Sequence, residues 1–133
     1  MEQTLLIIKP DAVEDRHAGE IISIIEKKGI TIKNLKMANL SKEHAEGFYK
    51  IHRDKPFFER LIEFIISGPI IAIILEHDNC VEYVREIIGA TDPKEAAKGT
   101  IRWLFARNVT QNAVHASDSV KNAKTEISFI FDE

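Results

Sequence analysis

The run Ile70-Ile71-Ala72-Ile73-Ile74-Leu75 contains no polar residue, and Gly68-Pro69 breaks the chain directly before it. A stretch this short and this apolar reads as a buried strand, and the rest of the chain has to be arranged to cover it. Thr4 to Ile8 is a second short apolar strand, stopped by Pro10-Asp11. Ala18 to Lys28 carries Ile21, Ile24 and Ile25 at helical spacing and ends at Gly29, a C′ glycine. Ile30 to Leu40 alternates and is expected as a strand. Ser41 caps a helix to about Ile51, and a further helix runs from Phe57 to Ser67. Asp78 or Asn79 caps a helix over Val81 to Ile88, ending at Gly89. Asp92-Pro93-Lys94-Glu95 has the acidic cap, N1 proline and N3 glutamate of a one- to two-turn helix. Thr100 to Gln111 shows no clear period. An apolar alternation then carries His115 to a strand end, and Ser117-Asp118 opens a last helix to about Phe129.

The order is β-α-β-(αα)-β-α-(loop)-β-α. Four strands with intervening helices fit an α+β, ferredoxin-like βαββαβ plan: a four-stranded antiparallel sheet with helices packed on one face. A doubly wound parallel sheet is the alternative. The length of 133 residues suits one domain spanning 1–133, with a core that needs no staples. A net charge of -3 gives no global basic field, so any anion must be held by a local cluster. Cys80 is the single cysteine, which excludes an intramolecular disulfide framework and fits a reducing compartment. There is no basic leader, and no apolar stretch reaches the roughly 18 residues of a membrane span. These features point to a cytoplasmic protein without membrane partners.

The helix after Pro56 is apolar over too wide an arc. Glu59, Arg60, Glu63 and Ser67 occupy about 100° of it, and apolar side chains fill about 200°. Either the helix is gripped between core and neighbour, or one edge meets a ligand or a subunit. Phe57, beside the proline, is placed to stack on a flat ligand.

Candidate chemical residues are individually ambiguous. Lys9 ends a strand, where lysines ordinarily snorkel. Arg85 has the spacing of a solvated helix face. Arg102, between Ile101 and Trp103, suits a buried anion, and Thr91 can bond the same anion or start the short helix. His115 beside valine and alanine can be a packing residue, a base or a nucleophile. No His-x-x-x-His pairing supports a metal site. There is no Gly-x-Ser-x-Gly, no P-loop and no Gly-x-Gly-x-x-Gly, so a bound nucleotide would lack the usual glycine cradle.

Taken together, the motifs resemble the nucleoside diphosphate kinase family from end to end. They are Ile8-Lys9-Pro10-Asp11-Ala12-Val13, Asp54-Lys55-Pro56-Phe57-Phe58, Ser67-Gly68-Pro69 and Gly89-Ala90-Thr91-Asp92-Pro93. Gly99-Thr100-Ile101-Arg102 and Asn112-Ala113-Val114-His115-Ala116-Ser117-Asp118-Ser119 follow in order. The resemblance implies a phosphotransferase that moves the γ-phosphate of ATP or another nucleoside triphosphate to a nucleoside diphosphate by a ping-pong route. His115 would become phosphohistidine, with Glu126 on its other ring nitrogen and Ser117 bonding Glu126. Lys9, Arg85, Thr91 and Arg102 would neutralise phosphate charge together with Mg²⁺, which the nucleotide phosphates would mainly hold. Tyr49 and Asn112 match the remaining polar contacts, Asn112 to the sugar hydroxyl. The base would lie between Phe57 and Val109, stacked rather than read at its edge, which implies broad base specificity. The resemblance also implies a homo-oligomer, a hexamer by default with tetramer or dimer as alternatives, and no specific nucleic-acid partner.

The chain departs from the family pattern at several positions. Trp103-Leu104 stands for Gly-Asp, Lys98 for proline, Thr110-Gln111 for Gly-Arg, and Ala12 and Ala116 each for glycine. It also stops at Phe131-Asp132-Glu133, short of the long-tailed members. Two other readings are open: a family-shaped scaffold that binds nucleotide without turning it over, and a nucleic-acid module. The charge and the lack of an aromatic-basic strand motif weigh against the second.

Overall fold

A computed structural model describes residues 1–131; Asp132 and Glu133 lie outside the described residues. The strands are β1 (Glu2–Ile8), β2 (Thr31–Ala38), β3 (Ile70–His77) and β4 (Val114–Ala116). They form one sheet in the order β2-β3-β1-β4. Every pairing is antiparallel, so the parallel alternative is excluded. The two most apolar segments, β1 and β3, occupy the centre, where both faces are covered.

The helices cover both faces of the sheet, not one as the sequence suggests. Leu6 and Ile8 of β1 pack with Ile21 and Ile25 of α2 (Ala18–Lys27) and with Val84 and Ile88 of α5 (Cys80–Ile88). Leu5 and Ile7 pack the other way. They meet Ala45 of α3 (Lys42–Phe48), Ile62 and Ile65 of α4 (Phe58–Ile65) and Ile130 of α7 (Val120–Phe131). The reason is in β1 itself: neighbouring residues point to opposite faces, and Leu5, Leu6, Ile7 and Ile8 are all apolar. Each fully buried Leu or Ile contributes about 1.5–3 kcal/mol.

Local sequence signals set some element boundaries and not others. Ser41 caps α3 by accepting from His44 N, but a 3₁₀ turn over Lys50–His52 replaces its last turn. Asn79 precedes α5 without capping it; it sits at φ 54, and the Val81 N–H donates instead to Glu2 Oε1 across 2.9 Å. Pro10-Asp11 ends β1 as expected but also starts α1 (Pro10–Glu14), a helix the sequence reading omits. Its Pro is at N1, where proline is favoured. The expected helix at Asp92 is only a turn, because the Asp92 carboxylate takes the Lys94 N–H two residues on. The unassigned segment contains α6 (Ile101–Phe105), capped by Thr100. Ser119, rather than Ser117 or Asp118, supplies the side chain at the start of α7. Among the described residues no helix is long and apolar enough to cross a membrane.

Candidate active site

His115 pairs with Ile7 across β1 and β4, so its ring points to the Ile7 face, toward α7. There His115 Nε2 lies 2.9 Å from Glu126 Oε1. Ser117 Oγ donates to the same carboxylate oxygen at 2.7 Å. A carboxylate only accepts, so Nε2 carries the proton and Nδ1 keeps its lone pair. Nδ1 has no hydrogen-bond partner among the described residues. Phe48 and Tyr49 fix the ring plane by edge contacts, with centroids 5.3 and 6.1 Å away. Burial, followed by the charge of Glu126, pushes the Tyr49 phenol up, so it stays an O–H donor. That hydroxyl is buried without a partner among the described residues.

A cluster of cations stands beside the ring. Lys9 is buried at the end of β1, and its Nζ donates to Asn112 Oδ1 at 2.9 Å and to the Thr110 carbonyl at 3.5 Å. Burial, and then the charge of Arg102, pulls Lys9 down to about 8. Arg102 is likewise buried and held to about 10 by burial and then by Arg85. It projects from α6, not from a loop. Its Nη1 and Nη2 donate to the carbonyls of Gly89 at 3.0 Å and Val114 at 2.9 Å, leaving a buried Nε–H unused among the described residues. Arg85 is exposed on α5 and reaches the Ala116 carbonyl at 3.4 Å. Gly89 permits this crowding. It sits at φ 86, and a Cβ there would come within 2.5 Å of the Thr100 hydroxyl.

These groups line one cleft of about 430 Å³. Nine of the eleven expected site residues are on its wall: Lys9, Tyr49, Phe57, Arg85, Thr91, Arg102, Val109, His115 and Glu126. Asn112 and Ser117 stand behind it, both buried. Asn112 is a bracket more than a wall residue: Oδ1 receives Lys9, and Nδ2 donates to the Thr91 carbonyl at 3.1 Å. Thr91 is exposed and starts no helix.

The wide apolar arc of α4 divides between two tasks. Phe58, Ile62 and Ile65 enter the core, while Phe57 at the helix start and Leu61 one turn on line the cleft. Arg60 and His52 also line it, and neither is among the residues that the motifs name. The i, i+3, i+4 spacing from Phe57 puts Arg60 and Leu61 on the same edge, a signal present in the sequence. At the mouth, Val109 sits in a loop closed on itself. Asn108 Oδ1 accepts from Thr110 N and Gln111 N, and Arg107 N donates to the Gln111 carbonyl. Arg107 anchors that loop to Asp15 beyond α1 through two side-chain bonds. Trp103 and Leu104 stay exposed on α6.

The cleft offers cations and donors but few carboxylates. Among the described residues no group of three or more His, Cys, Asp or Glu side chains could hold a metal ion. This donor set suits an anionic ligand that brings its own cation.

A family model described as nucleoside diphosphate kinase matches residues 2–133. The chain is 53% identical over 131 residues to a nucleoside diphosphate kinase of Chlamydia trachomatis, covering 98% of this chain and 93% of that protein. A Chlamydia felis nucleoside diphosphate kinase is 55% identical over the same shares. Among solved structures, that of Aquifex aeolicus nucleoside diphosphate kinase superposes with a TM-score of 0.96 at 47% identity, covering 98% of this chain and 94% of that one. An apo structure of the Encephalitozoon cuniculi nucleoside diphosphate kinase gives 0.97 at 34% identity, covering 100% and 90%.

Proposed function

The chain belongs to the nucleoside diphosphate kinase family, and we propose that it works by a ping-pong mechanism through a phosphohistidine on His115. The observation that carries this reading is the His115–Glu126 bond. With Nε2 committed as donor, Nδ1 is the nitrogen with a free electron pair. The Nδ1 lone pair attacks the γ-phosphorus as the bond to the β-phosphate oxygen breaks, and the diphosphate leaves with that electron pair. As the ring becomes cationic, Glu126 faces it directly and Ser117 holds Glu126 in place. Attack by the acceptor diphosphate on the phosphohistidine reverses these events.

Transfer of a phosphoryl group rests mainly on position and charge. Lys9, Arg85 and Arg102 supply fixed positive charge, and Thr91 and Tyr49 supply hydroxyls at the same wall. A divalent cation brought by the nucleotide would add to the charge neutralisation that Lys9, Arg85 and Arg102 provide. Phe57 and Val109 flank the base without edge readout, which supports broad base specificity. Asn112 has one amide hydrogen left for the sugar after its bond to Thr91. The same reading implies a cytoplasmic homo-oligomer, a hexamer by default with a tetramer or dimer as alternatives.

The test is initial velocity against both substrates. Parallel double-reciprocal lines, and a labelled enzyme that unlabelled diphosphate discharges, are expected. Intersecting lines with no labelled enzyme would overturn the mechanism.

A further inference from the structure

Ala113 is fully buried and adopts φ 75, a left-handed conformation that an L residue takes only under constraint. The Val114 N–H donates to the Asn112 carbonyl at 2.9 Å, closing a γ-turn of the rarer, strained kind around Ala113. This turn separates two site residues: Asn112, which holds Lys9, lies before it, and His115 lies two residues after it. Something must hold the turn against its own preference.

Two contacts grip it. The Lys9 N–H donates to the Ala113 carbonyl at 2.9 Å. On the other side, the Ala113 N–H donates to Asp11 Oδ2 at 3.0 Å. Asp11 is buried on α1, and its Oδ1 has no partner among the described residues. A buried carboxylate with an unsatisfied oxygen costs stability rather than adding to it, so packing alone does not account for it.

We propose that Asp11 is a positioning residue: its carboxylate pins the Ala113 N–H, holds the left-handed turn, and thereby sets Asn112 and His115 in register with each other. The proposal rests on the reading of His115 as the phosphoryl acceptor. A competing role, a simple counter-charge for Lys9, makes opposite predictions. An asparagine keeps an oxygen that can accept from Ala113 but loses the charge. A glycine at 113 enters the left-handed region freely, so it removes the need for the pin.

The experiment compares wild type with Asp11→Ala, Asp11→Asn, Ala113→Gly and the Asp11→Ala/Ala113→Gly double variant. It follows kcat, nucleotide KM and hydrogen exchange of the Ala113 amide. Asp11→Ala is expected to lower kcat by about 10- to 100-fold, with KM moving less. Asp11→Asn and Ala113→Gly stay within about threefold of wild type, and the double variant regains most of the lost kcat. Should Asp11→Ala fail to fold, the double variant folds and turns over. Wild-type kcat in Asp11→Ala, an Asp11→Asn as impaired as Asp11→Ala, or a double variant no better than Asp11→Ala overturns the proposal. The amide exchange separates the two readings. An inactive wild type would sink the phosphohistidine mechanism. Faster Ala113 exchange in Asp11→Ala would still support the pin, and unchanged exchange would defeat it.

Discussion

At the inner end of the cleft, Lys9, Arg102 and Asn112 are buried and bonded, whereas at its mouth Phe57 and Val109 are 42% and 55% exposed. The inner groups are held by backbone carbonyls and by each other, so their positions exist before any ligand arrives. The mouth presents two apolar surfaces and no comparable set of bonded donors. A site of this kind fixes the part of a ligand that every nucleotide shares and leaves the variable part loosely defined. The cost falls on the inner end, where burial holds Lys9 well below an ordinary lysine.

The contrast can be broken most severely at His115. His115→Ala is expected to abolish enzyme labelling and reduce turnover to background, while circular dichroism stays native; a labelled, active variant would place the chemistry elsewhere. Next come Lys9→Ala and Arg102→Ala, each expected to lower kcat/KM by about 10²- to 10³-fold with the fold intact. Near-full activity in either would mean that the inner cations are structural only.

Lys9 also sets a pH signature. Its folded value of about 8 lies below the 10.5 of a free lysine, so it loses its charge as pH rises through 8. The alkaline limb of kcat/KM for the free enzyme is expected there, and Lys9→Arg removes it. Stability runs the other way. The penalty for a buried charge is fully present below pH 8 and fades between pH 8 and 10.5, so Lys9→Met gains more stability at pH 7 than at pH 10.5. Denaturant midpoints at the two pH values check this.

The mouth should respond least. Phe57→Ala or Val109→Ala is expected to raise KM by about three- to tenfold, alike for purine and pyrimidine diphosphates. A loss confined to one base would show edge recognition at this end, and Arg60 is the first residue to examine for it.

Legibility in the sequence followed the same division. β1 and β3 announced themselves as unbroken apolar runs, and α2 and α5 by their isoleucine and valine spacing and their terminal glycines. The inner site was named only through the order of its motifs, because Lys9, Arg102 and His115 lie far apart in the chain and meet only once β4 pairs with β1. Short elements were harder. α1 and α6 have five residues each, too few for a period to show, and only the Pro10 and Thr100 start signals betray them. Asp92 shows the converse error, since one side chain can cap a helix or close a turn, and the sequence does not say which. The pin at Asp11 was invisible because its partner is a backbone amide in a conformation no side-chain pattern encodes.

The mechanism turns on Glu126 occupying Nε2 and leaving Nδ1 as the nucleophile. Phosphorylating the wild-type enzyme with γ-labelled ATP, digesting it in alkali and resolving the two phosphohistidine isomers tests this directly. Acid-labile label on Nδ1 of His115 is expected. Label on Nε2, or acid-stable label on Ser117 or another hydroxyl, would contradict it.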